Sequence, residues 1–356
     1  MCENDDCARA VLSAKFETPL HADVKTLKTL PKATELVVAG FPCQDLSQAG
    51  QTQGIAGDRS SLVHEVFRLV DNGRIANIIL ENVPFMLQLG RGRAMETIAS
   101  AFEERGFSWA YRVVDARSFG LPQRRRRVYF FASREQDPTT VLFADESVPK
   151  TFEETRRRAA FGFYWTEGVR GLGWAVDAVP TLKGGSGLGI PSSPAILLCD
   201  GRIVTLDIRD AERLQGFDSN WTLPAEAVAK RGKRWKLVGN AVSVPAAEWI
   251  GARLAHPGEP IAFPTVAFTT GGAWPTAAFN VGAGRRKVFA SEWPVQIGQI
   301  PLEEFLRFEP SLLSARATAG FLQRTKIAKL KFPSGFISAV ESHLDRVASL
   351  ASKKSA

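Results

Sequence analysis

Paired cysteines are missing from this sequence. Cys2, Cys7, Cys43 and Cys199 form no Cys-x-x-Cys pair, and the four histidines, His21, His64, His256 and His343, are scattered. That spacing argues against a disulfide framework and a structural zinc site, so no metal is expected and a reducing cytoplasm is the predicted location. Long apolar runs are missing too. None approaches the roughly 18 residues of a membrane span, so no membrane role is expected. The opening MCENDDCARA is acidic and has no apolar centre, which does not read as a signal peptide. Acidic residues are in the minority, 37 against 45 Lys and Arg, and the net charge of +8 leans toward a polyanionic partner. Core material is plentiful. With 45% hydrophobic residues, the 356-residue chain can bury the interior of two domains, or of one large domain with appendages.

Residues 1–133 alternate helical patterns with short apolar runs. Cys7 to Ala14 predicts a helix and LVVAG (36–40) a buried strand. Leu62 to Val70 predicts a helix with Val63, Val66, Phe67 and Val70 on one face, Ser61 as N-cap and Gly73 as stop. IANIILENV (75–83) predicts a second buried strand, Ala94 to Glu104 a helix closed by Gly106, and SWAYRVVDA and RRVYFFAS the last strands. Near-continuous apolar strands between helices point to a doubly wound α/β sheet covered on both faces, with ligands outside the carboxyl ends of its strands. Cys43 and Glu81 lie just past two such ends and can face one crevice. From 134 to 205 the charge cluster EETRRR, the aromatic FGFYW and the loop LKGGSGLGIPSSP break the alternation. Order returns from Ile208 to Arg253. The last hundred residues hold two Trp-Pro breaks and then helical segments, and no internal repeat is present.

Three pieces carry chemistry. In GFPCQDLS, Pro42 fixes φ and removes a donor just before Cys43, which puts a thiol at a rigid strand exit. A free cysteine is more often a small buried hydrophobe, and no histidine lies close in sequence to serve as its base. Glu81 ends an apolar strand, a place that suits a carboxyl to bonding or protonating a ring nitrogen. A helix N-cap or an edge salt bridge is the plainer role. Gln123-Arg-Arg-Arg-Arg127 runs into VYFFAS, so strand alternation must turn some guanidinium groups inward, although arginine runs usually face solvent or phosphate. Taken singly, each plain explanation would win.

Together, in order and spacing, these pieces resemble the DNA cytosine-5 methyltransferase family of the restriction–modification kind. GFPCQDLS is similar to its nucleophile motif, ENV to its glutamate motif and QRRRRV to its Gln-x-Arg-x-Arg motif. RDAERLQGF and GNAVSVP resemble the two motifs near the end of the catalytic core, and the likeness runs from residue 1 to about 254. The resemblance implies an α/β fold, a doubly wound Rossmann-like S-adenosylmethionine-dependent methyltransferase sheet with a smaller, irregular target-recognition domain. It implies double-stranded DNA as partner, with a cognate restriction endonuclease beside it, and a target cytosine swung out of the stack. Cys43 thiolate would add to C6, Glu81 would hold N4 and N3, Arg127 would bind O2, and Arg125 would secure the pocket or a phosphate. Gln44, Ser47 and Arg59 fall in a tract resembling the loop that closes over DNA, and Gln123 and Lys183 are further implied DNA contacts. For the cofactor, Glu3 matches the residue on the ribose hydroxyls and Asp23 the one on the adenine amino group. Pro42, Leu62, Asn240 and Val242 match other cofactor-pocket positions.

Two departures stand out. The family's glycine-rich loop, Phe-x-Gly-x-Gly-Gly, should precede Glu3, yet only Met1 and Cys2 do. GGSGLGI (184–190) and FNVGAGRR (279–286) are poor substitutes, lacking the strand and helix such a loop needs. The expectation is truncation or a misplaced start, ahead of a second chain that supplies the segment or a decayed remnant, with weak cofactor binding or none by these residues alone. RLQGFDS also lacks the proline that usually follows the phenylalanine. The expected division is 1–133 catalytic, 134–205 target recognition, 206–254 catalytic again, and 255–356 an extension of unassigned role. An RNA methyltransferase acting on transfer RNA and a catalytically silent DNA-binding subunit are the alternative readings, with a thiol hydrolase behind them.

Overall fold

The computed structural model describes residues 1–41, 62–73, 75–151, 159–184, 193–268 and 271–355. Helix α1 (Asp6–Lys15) is capped by Asp5, whose carboxylate accepts from the Cys7 and Ala8 amides, and β1 (Leu36–Gly40) follows. Next come α2 (Leu62–Asn72), β2 (Asn77–Asn82), α3 (Arg93–Glu104) and β3 (Ser108–Asp115). After them lie β4 (Gln123–Arg124), β5 (Arg126–Ser133) and the short α4 (Thr139–Leu142). The expected cap Ser61 lies outside the described residues. The chain then forms β6 (Phe161–Phe163), β7 (Trp174–Val176), β8 (Val179–Pro180), β9 (Ala195–Leu197) and β10 (Ile203–Thr205). It continues through α5 (Ile208–Arg213), α6 (Arg234–Asn240), α7 (Val244–Ala255), β11 (Thr265–Ala267), β12 (Ala277–Asn280) and β13 (Arg286–Val288). The last elements are α8 (Leu302–Phe305), β14 (Ser311–Leu312), α9 (Ala315–Ile327) and α10 (Phe336–Ser355).

Seven strands make the large sheet, in the order β1-β2-β5-β3-β12-β13-β11. Alternation decides its two faces. Ile78, Leu80, Trp109, Tyr111 and Phe130 point to one side and meet Val66, Phe67 and Val70 of α2 and Met95, Ile98 and Phe102 of α3. Ile79, Ala110, Tyr129 and Phe131 point to the other and meet Val141 and Leu142 of α4 and Ala246, Trp249 and Ile250 of α7. The sheet is therefore an α/β layer covered on both faces. Among the described pairings of this sheet only β1–β2 is parallel; β5 pairs antiparallel with both β2 and β3, the latter because the short link from 116 to 125 folds back as a hairpin.

Strand β1 departs from the expectation of burial on both faces. Among the described residues it pairs only with β2. Val37 and Ala39 pack inward, but Val38 is 64% exposed. No described element covers that side of it.

The second sheet, in the order β14-β10-β9-β6-β7, is antiparallel. One face packs Phe161, Phe163, Leu197 and Ile203 against Phe321 of α9 and Phe336 and Val340 of α10. The expectation of an irregular region from 134 to 205 is corrected in part: among its described residues β6, β7, β9 and β10 form a sheet, completed by strand β14 and helices α9 and α10 from the far end of the chain. Sequence separation hid that partnership. The residues after 255 divide between the two bodies, since β11, β12 and β13 extend the large sheet.

Candidate active site

At the carboxyl ends of β1 and β2, where the crevice is expected, the site begins with a register pair. Gly40 lies opposite Glu81, and a Cβ at Gly40 would stand 3.6 Å from Oε2 of Glu81. One residue on, the Asn82 side-chain amide donates to the Phe41 carbonyl at 3.0 Å, which pins the chain as it leaves β1. Pro42, Cys43, Gln44, Ser47 and Arg59 lie outside the described residues. Asn82 was not singled out in sequence. Its signal was position, a side-chain amide directly after the strand-end carboxylate.

Glu81 meets Arg127 from the neighbouring β5, Nε to Oε1 at 2.9 Å, with the side chains only 15% and 10% exposed. The pairing is an ion pair without hydrogen-bond alignment, and Oε1 is a buried acceptor with no donor among the described residues. Arg127 instead donates through Nη1 to the Arg126 carbonyl. Tyr129, opposite Glu81 in the register, is buried, and burial first and Glu81 second push its pKa up, so it stays a neutral phenol.

The Gln-x-Arg-x-Arg run obeys the two-residue period. Gln123, Arg125 and Arg127 are buried, whereas Arg124 and Arg126 are exposed. Arg125 is 1% exposed and donates to three carbonyls, Leu182, Gly239 and Ala241. Burial, and then repulsion from Arg127, lowers its pKa to about 9. Those bonds tie the arginine run to the segments at Leu182 and at Gly239 to Ala241. Gln123 requires a correction. It was expected at the DNA, but it is fully buried, donating to the Leu214 carbonyl at 2.7 Å and accepting from the Leu182 amide at 3.0 Å. Every contact it makes is internal, so it joins β4 to the turn after α5. Lys183 stays on the rim, 4.0 Å over the Tyr164 ring and 3.2 Å from Glu167.

Arg125 also connects this crevice to the second group of expected residues. The Gly239 and Ala241 carbonyls it holds flank Asn240, which like Val242 is exposed. Gly239 is glycine for a reason of space, since a Cβ there would lie 2.3 Å from the Lys183 carbonyl carbon. From the same helix, Lys236 reaches Asp5 at 2.7 Å and lowers the Asp5 pKa through that bond. That ion pair brings the N-terminal segment to α6. There Cys2 and His21 form a parallel bridge, which sets Glu3 and Asp23 just past adjacent extended segments. Glu3 Oε1 accepts from the Asp5 amide and Asp23 Oδ1 from the Lys25 amide, which fixes both carboxylates. Leu62 opens α2, partly buried against the core. Among the described residues no His, Cys, Asp and Glu cluster could hold a metal ion, and no helix is long and apolar enough to cross a membrane.

Comparison with known proteins bears on this arrangement. Residues 1–161 and 190–256 match the family described as C-5 cytosine-specific DNA methylase. The chain is 45% identical over 359 residues to the type II methyltransferase M2.BsuMI of Bacillus subtilis, covering 97% of this chain and 92% of that protein. It is 26% identical to the type II methyltransferase M1.ScrFI of Lactococcus lactis over 71% of this chain and 70% of that one. The Dnmt2 methyltransferase of S. pombe overlays with a TM-score of 0.46 and 13% identity, over 71% of this chain and 89% of that one.

Proposed function

Because the chain belongs to the C-5 cytosine-specific DNA methylase family, as a DNA (cytosine-5-)-methyltransferase of the type II kind, we propose that it acts on a flipped-out cytosine through a covalent adduct with Cys43. The observation that supports this reading is the buried Glu81 oxygen without a hydrogen-bond donor among the described residues, set beside Arg127 at the carboxyl end of β2. A cytosine presents N4–H and N3 on one edge and O2 beside them. Glu81 would accept from N4 and hold N3, and Arg127 would donate to O2, so charge that develops on the ring meets fixed partners. Such a base is out of reach inside a duplex, and extruding it costs a few kcal/mol.

The Cys43 thiolate would form a bond from Sγ to C6, which makes C5 a carbon nucleophile. The residues present fit S-adenosylmethionine: two fixed carboxylates, Glu3 and Asp23, would take ribose hydroxyls and an adenine amino group, and Leu62, Pro42, Asn240 and Val242 are the further residues that would hold it. When bound it would supply the methyl group that C5 accepts. Transfer of the C5 proton to solvent water, with its electron pair re-forming the C5=C6 bond and expelling Sγ from C6, would then release 5-methylcytosine and the thiolate. A cytoplasmic location and a cognate restriction endonuclease go with this reading. The test is incubation with labelled S-adenosylmethionine and either duplex genomic DNA or transfer RNA, followed by bisulfite mapping. Methylcytosine at one fixed DNA sequence supports the proposal; label confined to transfer RNA, or absent from both, overturns it.

A further inference from the structure

From Pro310 to Val340 the chain carries five basic residues, Arg316, Arg324, Lys326, Lys329 and Lys331, and no acidic one. A merely solvated face normally mixes the two signs. The structure gives this stretch a definite place. The turn between α9 and α10 is strapped to the β6–β7 hairpin: Trp174 Nε1 donates to the Lys331 carbonyl at 3.0 Å, and Arg324 donates to the Trp165 carbonyl. Lys326, Lys329 and Lys331 are exposed there, and Ile327, 73% exposed, marks a turn that stands clear of the core. The same hairpin reaches the active-site rim on its other side. Tyr164 donates to the Thr181 carbonyl at 2.6 Å, and Thr181 Oγ1 donates to the Arg124 carbonyl at 2.8 Å, next to Arg125. Arg170 is exposed at the hairpin tip.

One hairpin thus joins the segment that forms the base pocket to a lysine turn with no neighbouring carboxylate in its sequence. We infer that the α9–α10 turn is a second contact with the duplex, in which Lys326, Lys329 and Lys331 each neutralise a backbone phosphate beyond the crevice. The inference rests on the reading of the chain as a DNA methyltransferase and extends it to a part of the chain outside the matched family region. Phosphate contacts position a duplex and carry no base information, so the turn would hold DNA of any sequence.

That independence sets the test, because the recognised sequence need not be known. Affinity for a short mixed-sequence duplex is measured by fluorescence anisotropy across a salt series. Each phosphate neutralised contributes about 0.9 to the slope of log affinity against log salt. K326A/K329A/K331A is expected to lower that slope by roughly 2–3, and K326R/K329R/K331R to keep it. Should the triple alanine variant lose its thermal transition, each single variant is expected to lower the slope by about 0.9. An unchanged slope in a folded variant, with the wild type still methylating DNA, overturns this inference alone. A wild type that neither binds nor methylates duplex DNA overturns the reading beneath it.

Discussion

The Glu81–Arg127 pair lends itself to a double-mutant cycle. Its side chains are 15% and 10% exposed, so water screens it far less than a surface pair. At an effective dielectric near 20, two unit charges about 4 Å apart attract by about 4 kcal/mol before the cost of desolvation is set against it. Arg125 sits on the same strand run as a second buried cation, so Glu81→Gln leaves two guanidinium groups facing a neutral amide. Glutamine still offers an oxygen, and the expected loss of stability is therefore roughly 1–3 kcal/mol, below the full cost of breaking a buried pair. Arg127→Gln should cost a similar amount. Glu81→Gln/Arg127→Gln removes both partners, and its loss should fall short of the sum by about 0.5–3 kcal/mol. Urea denaturation of the four proteins measures the cycle. Single-turnover methyl transfer, run alongside, should fall by roughly 10²–10⁴ for Glu81→Gln. Losses that add to within about 0.5 kcal/mol would refute the coupling, and wild-type turnover by Glu81→Gln would refute the role of the carboxylate.

Other outcomes follow from the same contacts. Gln123→Ala leaves the Leu182 amide and the Leu214 carbonyl buried and unpaired, at about 1–3 kcal/mol each, yet it should not change the salt slope of DNA binding. A lowered slope would return Gln123 to the DNA. His343 is fully buried, its Nδ1 accepting from the Ile203 amide at 3.1 Å and its Nε2 donating to the Leu313 carbonyl at 2.9 Å. Burial first, and Arg346 with it, depresses its pKa, so its contribution is present above the unfolded value of about 6.5 and is lost as pH falls below it. Thermal melts on the acid side should show a shallower decline for His343→Gln than for wild type, and parallel declines would contradict that. Gly239→Ala must displace the Lys183 backbone, and the overpacking should cost about 1–3 kcal/mol and weaken cofactor affinity, measured by calorimetry.

Much of the large sheet was legible because its signals are local. NIILEN, SWAYRVVD and RRVYFFAS are apolar runs whose alternate residues serve two covers, LVVAG is legible as a strand although only one of its faces is covered, and α2 and α3 announce themselves by one apolar face. The inward turn of the arginine run was legible for the same reason, because a two-residue period needs no partner to be read. What alternation does not reveal is the destination of each side chain. Arg125 and Gln123 end on carbonyls and amides from residues 182 to 241, and no spacing in the sequence announces those contacts. FNVGAGRR is a poor stand-in for the glycine-rich cofactor loop in sequence, and the structure makes it a hairpin. Gly282 and Gly284 take φ of 99° and 89° in the turn between β12 and β13, a backbone shape that glycine adopts without strain. The second sheet was hidden because β10 pairs with β14, more than a hundred residues along the chain.

The central claim is a bond from Cys43 to the base, and trapping that bond tests it most directly. Duplex DNA carrying 5-fluorocytosine blocks loss of the C5 substituent, so the adduct that forms after methyl transfer cannot be released. Incubation with S-adenosylmethionine, digestion and peptide mass spectrometry should place the modified base on the peptide containing Cys43, and Cys43→Ser should yield none. An active preparation that methylates ordinary DNA but forms no adduct, or forms it on Cys2, Cys7 or Cys199, would contradict the account.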